Sequence, residues 1–205
     1  SAEVWKGMEQ DMREHNVPEW YIQSCYKIKY MSPKAHAAAY VISALRVAWY
    51  KVHKPLEFYC AYFTARPEDV DVEVLMGGRE SVKRYLREIK AKGKEASKKE
   101  LDVYDNMLIF NEMMARGIEV LPIDIKKSQA MKYVPENGKM RLPFGALSGV
   151  GEKAAYSIYE AAQKGDFVSR EDLILESGVS KTVIQKLGEL GALSDIPETN
   201  QISMF

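Results

Sequence analysis

The sequence predicts a mainly α fold with a small β component. Two observations carry this prediction: helical periodicity extends over most of the 205 residues, and only short strand-like segments interrupt it in the rear half. A third is a glycine turn near residue 150 that opens a helix and recurs near residue 178. Since 46% of the residues are hydrophobic, the chain can bury a real core in one large domain or two small ones.

The front half is predicted to be helical. Residues 1–30 form helices broken at Val17-Pro18, because proline has no amide with which to continue a helix. Ser32 as a cap and a proline in the first turn then start a helix over 34–53. The apolar stripe of this helix consists of Ala38, Val41, Ile42, Leu45, Trp49 and Val52.

Basic residues dominate the middle of the chain. A short aromatic helix at 56–64 leads to helices at 78–92 and 98–116, the last with a capping box formed by Ser97 and Glu100. From Arg79 to Lys99, nine lysines and arginines accompany three glutamates, a net charge of +6. This excess is typical of a nucleic-acid surface and, equally, of a solvated helix face.

Three short strands are predicted in the rear half, at 119–121, 131–134 and 139–142. Asn137-Gly138 indicates a two-residue hairpin turn between the last two strands, because both positions accept the positive φ that such turns need. Helices resume after these strands, so the rear half is expected to be α+β.

The turn at Gly149 to Gly151 is the most informative motif in the chain. An apolar residue precedes it and an amphipathic helix over 152–162 follows it, the arrangement of a helix-hairpin-helix. Two glycines allow positive φ and leave no side chain above the backbone. The first amides of the helix, flanked by Ser148 and Lys153, then suit a phosphate and predict DNA-backbone contact without base reading. The alternative is a glycine that merely separates two helices.

A second copy of this turn strengthens the interpretation. Gly178 matches the first glycine, and a helix over 182–190 follows it. Ser180 replaces the second glycine and could either cap the helix or donate its hydroxyl to a phosphate. Lys181 adds a positive charge beside the turn. The predicted DNA-binding set is Ser148, Gly149, Gly151, Lys153, Gly178, Ser180 and Lys181.

Composition excludes several classes of protein. Twenty-nine basic and 29 acidic residues cancel, so any nucleic-acid surface must come from local charge asymmetry. Cys25 and Cys60 form no Cys-x-x-Cys pair, which argues against a zinc site and fits a reducing compartment. No apolar run suits a membrane span and no signal peptide is present, so we expect no membrane partner. Because the chain starts at Ser1, it is expected to be a fragment.

An acidic run is the one pattern that suggests catalysis. On a strand, Asp69, Asp71 and Glu73 would share one face and suit two metal ions for phosphoryl transfer. Their position between predicted helices favours an acidic connector or a helix start instead. The three histidines lie far apart, so we predict neither a catalytic nor a metal-binding residue in this chain.

The front helix carries a resemblance to a known family. Residues 30–40, Tyr-Met-Ser-Pro-Lys-Ala-His-Ala-Ala-Ala-Tyr, resemble the fingers signature of the C-family DNA polymerase III alpha subunits of bacteria. Residues 17–21 and the tail 197–205 are similar to its PolC branch. Residues 123–130 and the two glycine turns resemble that family's duplex-binding domain. Ser32 departs from the pattern, since the family usually has Phe there.

The resemblance implies a domain layout. The chain would then consist of a helical fingers segment at 1–75, a basic helical connector at 76–117, a duplex-binding domain with a β-hairpin and tandem helix-hairpin-helix motifs at 118–194, and a tail at 195–205.

The same resemblance implies roles for residues. The family extends a primer with deoxynucleotides and two Mg²⁺ ions, which a palm domain outside this chain would hold, so the chain alone would have no cofactor and no activity. Lys34, His36 and Tyr40 would contact the incoming nucleotide. The C-terminal residues resemble a peptide that binds the sliding clamp, the polymerase's beta subunit: Gln201, Ile202, Ser203, Met204 and Phe205.

The implied partners are primer–template duplex DNA, the incoming nucleotide, the clamp and the rest of the polymerase polypeptide, in the bacterial cytoplasm at the nucleoid. The alternative is a non-catalytic helix-hairpin-helix module of a repair or recombination protein.

Overall fold

The computed structural model describes residues 2–27, 33–66, 70–165 and 167–199. The chain divides after Arg46 into two compact units. Helices dominate both units and one small sheet lies in the second, so the predicted fold class is confirmed. The functional domain limits predicted at residues 75, 117 and 194 stay predictions.

The first unit contains α1 (Ala2–Glu14), α2 (Glu19–Lys27) and the first part of α3 (Lys34–His53). The predicted break at Val17-Pro18 is confirmed, since α1 ends before it and α2 begins after it. The Arg13 guanidinium lies 3.1 Å from the Glu19 carboxylate and so links the two helices across this break.

The helix α3 has the bounds that the sequence predicted, and none of its residues is buried. Its apolar side chains are all more than a third exposed; Leu45, for example, is 65% exposed and Trp49 is 52% exposed. A helix with this much apolar surface is usually covered by other protein. The sequence therefore predicted the helix correctly, while the residues that the structure describes leave its apolar stripe exposed.

The second unit holds the remaining helices in two groups. Before the sheet these are α4 (Pro55–Ala65), α5 (Val72–Met76), α6 (Gly78–Lys92) and α7 (Lys98–Ala115), and after it α8 (Glu152–Lys164), α9 (Arg170–Ser177) and α10 (Lys181–Glu189). The predicted capping box at the start of α7 is confirmed, because the Ser97 hydroxyl accepts from the Glu100 amide at 3.3 Å and the Glu100 carboxylate accepts from the Ser97 amide at 2.8 Å.

The sheet comprises β1 (Val120–Leu121), β2 (Val134–Glu136) and β3 (Lys139–Arg141), in the order β1-β3-β2. Strand β3 pairs parallel with β1 and antiparallel with β2. The hairpin turn at Asn137-Gly138 is confirmed, with φ of 51° and 79° at its two residues.

The second strand begins later than predicted. A two-residue turn pairs the residues that flank it, which places the strand next to Asn137 rather than at 131–134. Tyr133 instead packs in the core, and its amide donates to the Thr64 hydroxyl at 3.0 Å.

An aromatic core joins the front helices of the second unit to the sheet. Phe63 of α4 and Phe110 of α7 stack with ring centroids 3.9 Å apart, and both are fully buried. Arg141 on β3 is buried as well, where it donates two hydrogen bonds to the Glu136 carboxylate. This pairing lowers the pKa of Glu136 and fixes the hairpin just before the glycine turns.

Candidate nucleic-acid interface

The first glycine turn has the geometry that its sequence predicted. Gly149 adopts a φ of 89°, and Gly151 stands at the N-cap of α8 with extended backbone. Between them the Val150 side chain is buried, and its amide donates to the Leu147 carbonyl at 3.0 Å. Within the described residues, the amides of both glycines donate to no protein acceptor. The turn therefore has two open amides, meaning amides without a protein acceptor, on an exposed surface, while the buried Val150 side chain fixes the turn to the core.

The second turn repeats this shape with different hydrogen bonding. Gly178 has a φ of 65° and Val179 is buried, as at the first turn. The Gly178 amide, however, donates to the Ile174 carbonyl at 2.9 Å and so closes α9. Ser180 occupies the N-cap of α10 but its hydroxyl makes no capping bond, so that exposed hydroxyl stays available to a ligand.

A direct contact joins the two copies. The Lys186 ammonium on α10 donates to the Ser148 carbonyl at 3.4 Å, across 38 residues of sequence. Because α9 packs against both α8 and α10, the two turns belong to one folded unit. Ser148, Lys153 and Lys181 are all exposed, so every member of the predicted set lies on the surface.

Charge at the interface is modest. The exposed carboxylate of Glu152 accompanies Lys153 at the first turn, so neither copy carries a strong positive excess of its own. Beside the turns lies a cleft of about 620 Å³, lined by Ser148 and Lys186 and by several carboxylates, among them Glu73 and Glu189. These carboxylates repel phosphate, so a DNA backbone would cross the turns rather than enter the cleft. Binding there would depend on the amides and the helix dipoles.

The basic connector presents charges on the surface of α6. Arg84, Arg87 and Lys90 are exposed and form no ion pair within the described residues. Lys83 and Lys92, by contrast, are paired with Glu80 and Glu100, and their charge is largely compensated. Part of the basic excess is thus compensated by local ion pairs, as on an ordinary solvated helix.

The predicted nucleotide-binding residues lie on the exposed first turns of α3. The His36 and Tyr40 rings approach each other at 4.4 Å between centroids, one helical turn apart. Lys34 precedes His36 by two residues, which places it about 200° around an ideal helix. The structure therefore pairs the two rings and puts the lysine on a different face.

The remaining predictions fall on acidic residues and on the tail. Asp71 caps α5, where its carboxylate accepts from the Val74 amide at 3.0 Å, so the helix-start interpretation is confirmed there. Asp69 and the clamp-binding residues 201–205 lie outside the described residues. Among the residues that the structure describes, no three His, Cys, Asp or Glu side chains are grouped to hold a metal ion, and no helix is long and apolar enough to cross a membrane.

Sequence reasoning missed two cations that shape this region. The Lys186 ammonium donates a hydrogen bond to the Ser148 carbonyl. The Arg170 guanidinium, at the start of α9, donates hydrogen bonds to carbonyls of the segment that follows α10. No local pattern identifies either residue, because their partners lie more than 20 residues away.

Comparison with known proteins agrees with this geometry. A family model described as a helix-hairpin-helix motif matches residues 117–202, which contain the sheet and both glycine turns. The rear part of the chain is therefore a helix-hairpin-helix region.

Relatives match the chain over its whole length. The PolC-type DNA polymerase III of Streptococcus sanguinis strain SK36 is 45% identical, and those of Streptococcus pneumoniae strain D39 and Streptococcus pyogenes are 44% identical. Each alignment covers 100% of this chain and 14% of the relative. The chain is therefore similar, from end to end, to a segment that makes up 14% of the length of these PolC-type DNA polymerases III.

Proposed function

We propose that this chain is the part of a bacterial replicative DNA polymerase that holds primer–template duplex by its phosphates, without reading sequence. The observation that carries the proposal is the pair of glycine turns, linked by Lys186, that presents open amides at Gly149 and Gly151 and an exposed hydroxyl at Ser180. Backbone amides at helix N-termini are suited to phosphate. Contacts of this kind position a protein on DNA and carry no base information.

Whole-chain similarity favours the polymerase over a repair or recombination module. The relatives match residues 1–116 as well as the hairpins, and a module defined by hairpins alone has no need of that front part.

The first test is fluorescence anisotropy of the chain with a labelled primer–template duplex over a salt series. We expect binding that is stronger for duplex than for single strands and that weakens with salt, by about 0.9 log unit per log unit of salt for each phosphate contacted. Salt-independent binding, or none at low salt, would overturn the proposal.

A matched set of variants locates the contact on the turns. Lys153→Ala and Lys181→Ala remove the charges beside the two turns, and each should reduce the salt slope by about one. Lys164→Ala removes the same charge from the opposite end of α8 and should leave the slope unchanged. Equal effects at Lys164 and Lys153 would show a diffuse charge effect instead of a site.

We further propose that the start of α3 contacts the incoming nucleotide. The exposed His36–Tyr40 ring pair supports this role because it offers a stacking surface at a helix start, and Lys34, on a different face of the same helix start, adds a positive charge. Lys34→Ala in the full polymerase should raise the KM for nucleotide, and an unchanged KM and kcat would contradict the role.

Clamp attachment is proposed for the tail Gln201, Ile202, Ser203, Met204 and Phe205. The sequence supports it, since an apolar pair after a glutamine suits a groove that takes an extended peptide. Deleting these five residues should abolish binding to the sliding clamp while duplex affinity stays the same. Equal clamp binding with and without them would exclude the tail as the attachment point.

The chain by itself is proposed to be inactive in DNA synthesis. Among the described residues, no three His, Cys, Asp or Glu side chains are grouped to hold a metal ion, and Asp71 already caps a helix, which supports this proposal. Primer extension assayed with the isolated chain should show no product, and activity there would contradict this proposal.

A further inference from the structure

The N-terminus of α9 forms hydrogen bonds with the segment that leads to the C-terminal tail. The Arg170 Nε donates to the Ile196 carbonyl at 3.2 Å and its Nη2 to the Leu193 carbonyl at 3.4 Å. Its backbone amide donates to the Pro197 carbonyl at 2.9 Å. Leu193 and Ile196 are buried beneath this contact, so the segment is held both by packing and by hydrogen bonds.

Glu171, the next residue of α9, adds a further hydrogen bond to the same segment. The Glu171 amide donates to the Glu198 carbonyl at 3.3 Å, which makes four successive attachments between 193 and 198. The Glu198 carboxylate also lies 3.6 Å from the Arg170 guanidinium, but it is 83% exposed and adds little. The hydrogen bonds to carbonyls therefore carry the attachment.

A glycine on α10 leaves room for the guanidinium. At Gly188, a Cβ would lie 2.7 Å from the Arg170 Nη1 atom, closer than such contacts occur. Its backbone is ordinary helix, so the guanidinium is the group that an alanine methyl at this position would displace. Arg170 thus occupies a slot between α10 and the segment that it holds.

We propose that Arg170 is a positioning residue that fixes where the C-terminal tail leaves the domain. This inference rests on the proposed clamp attachment. From Glu198 to Gln201 the chain has three residues, a reach of at most about 11 Å. A clamp bound to the tail would therefore be joined to this domain by a short tether, and a short tether raises the effective concentration of the second binding event.

The first readout is hydrogen exchange of this chain, because the amides at positions 170 and 171 donate directly to the segment. In Arg170→Ala both amides should exchange on the order of ten-fold faster, because that is the change expected when the segment loses the free energy of about one hydrogen bond. Gly188→Ala should do the same by displacing the guanidinium, although alanine improves the helix propensity of α10. Glu198→Gln, the matched control, should leave both rates unchanged.

The second readout is binding to a streptococcal sliding clamp, alone and loaded on a primer–template duplex. If Arg170→Ala frees the segment from Glu198 back to Leu193, the free chain that leads to Gln201 grows from three residues to eight. The affinity for the loaded clamp should then fall about four-fold, following the −3/2 power of length. Affinities for free clamp and for duplex alone should not change, whereas general loss of structure would lower them too.

Unchanged exchange in both Arg170→Ala and Gly188→Ala would overturn the anchor itself. Faster exchange with an unchanged affinity for loaded clamp would overturn the positioning role. If the unaltered chain fails to bind free clamp, the proposed clamp attachment fails first, and the positioning role falls with it.

Discussion

The Lys51 ammonium lies 2.9 Å from the Glu112 carboxylate, so the last turn of α3 is paired with α7 across 61 residues of sequence. Arg116 completes the group, since its guanidinium lies 3.3 Å from Glu112 and donates to the Lys51 carbonyl at 3.1 Å. Burial raises the pKa of Glu112, but the Lys51 hydrogen bond, the nearby Tyr59 hydroxyl and the two cations outweigh it, and the pKa is lowered. Within the described residues, that hydroxyl has no hydrogen bond of acceptable geometry.

Neutralising Glu112 tests this connection. Glu112→Gln should lower the free energy of unfolding by about 0.5–1 kcal/mol, because both partners are about one-third exposed and solvent screens the pair. Urea titration measures the change. Glu80→Gln breaks an exposed pair within α6 and should cost less than about 0.5 kcal/mol, so equal losses in the two variants would contradict a special role for Glu112.

The capping box of α7 predicts a pH dependence. The hydrogen bond from Lys92, followed by that from the Ser97 amide, lowers the pKa of Glu100 from 4.5 to about 2. A carboxylate whose pKa is depressed by folding stabilises the folded state above its unfolded pKa, and this contribution disappears as the pH falls through the folded value. Stability should therefore decline between pH 4.5 and 2, and Glu100→Gln should flatten that part of the profile while glutamine keeps the box. An unaltered acid limb would refute the assignment.

The two glycines of the first turn should respond differently to alanine. Gly149 has a φ of 89°, so Gly149→Ala should destabilise the fold by about 1–2 kcal/mol. Gly151 has ordinary extended backbone and open space above it, so Gly151→Ala should leave the thermal unfolding temperature unchanged. Its new methyl would nevertheless cover the open amides and weaken duplex binding. Normal binding by Gly151→Ala would argue against phosphate contact at that point.

The aromatic core predicts a large loss of stability. Phe110→Ala removes a fully buried ring that stacks on Phe63, and it should cost about 3–5 kcal/mol in denaturant titration. Leu175→Ala, at a residue that is 80% exposed, is the control and should change stability by less than about 0.5 kcal/mol. A small loss at Phe110 would mean that the stack does not join α4 to α7.

Local chemistry explains which features the sequence predicted correctly. The capping box at Ser97, the turn at Asn137-Gly138 and the bend at Gly149 each depend on residues within a few positions of one another. Hydrogen bonds of this range are encoded in short patterns. The sequence predicts a strand at 131–134, but the structure has it at Val134–Glu136. Tyr133 has a high β-propensity, yet its side chain packs in the core through contacts with distant residues, which a local pattern does not contain.

The sequence by itself thus determined the helix ends and the glycine turns. Only the tertiary structure decided that Lys186 meets Ser148, that Arg170 holds the segment after Leu193, and that the apolar stripe of α3 stays exposed. These outcomes depend on which distant surfaces pack together. Such packing follows from the whole set of buried contacts, and no short stretch of sequence contains it.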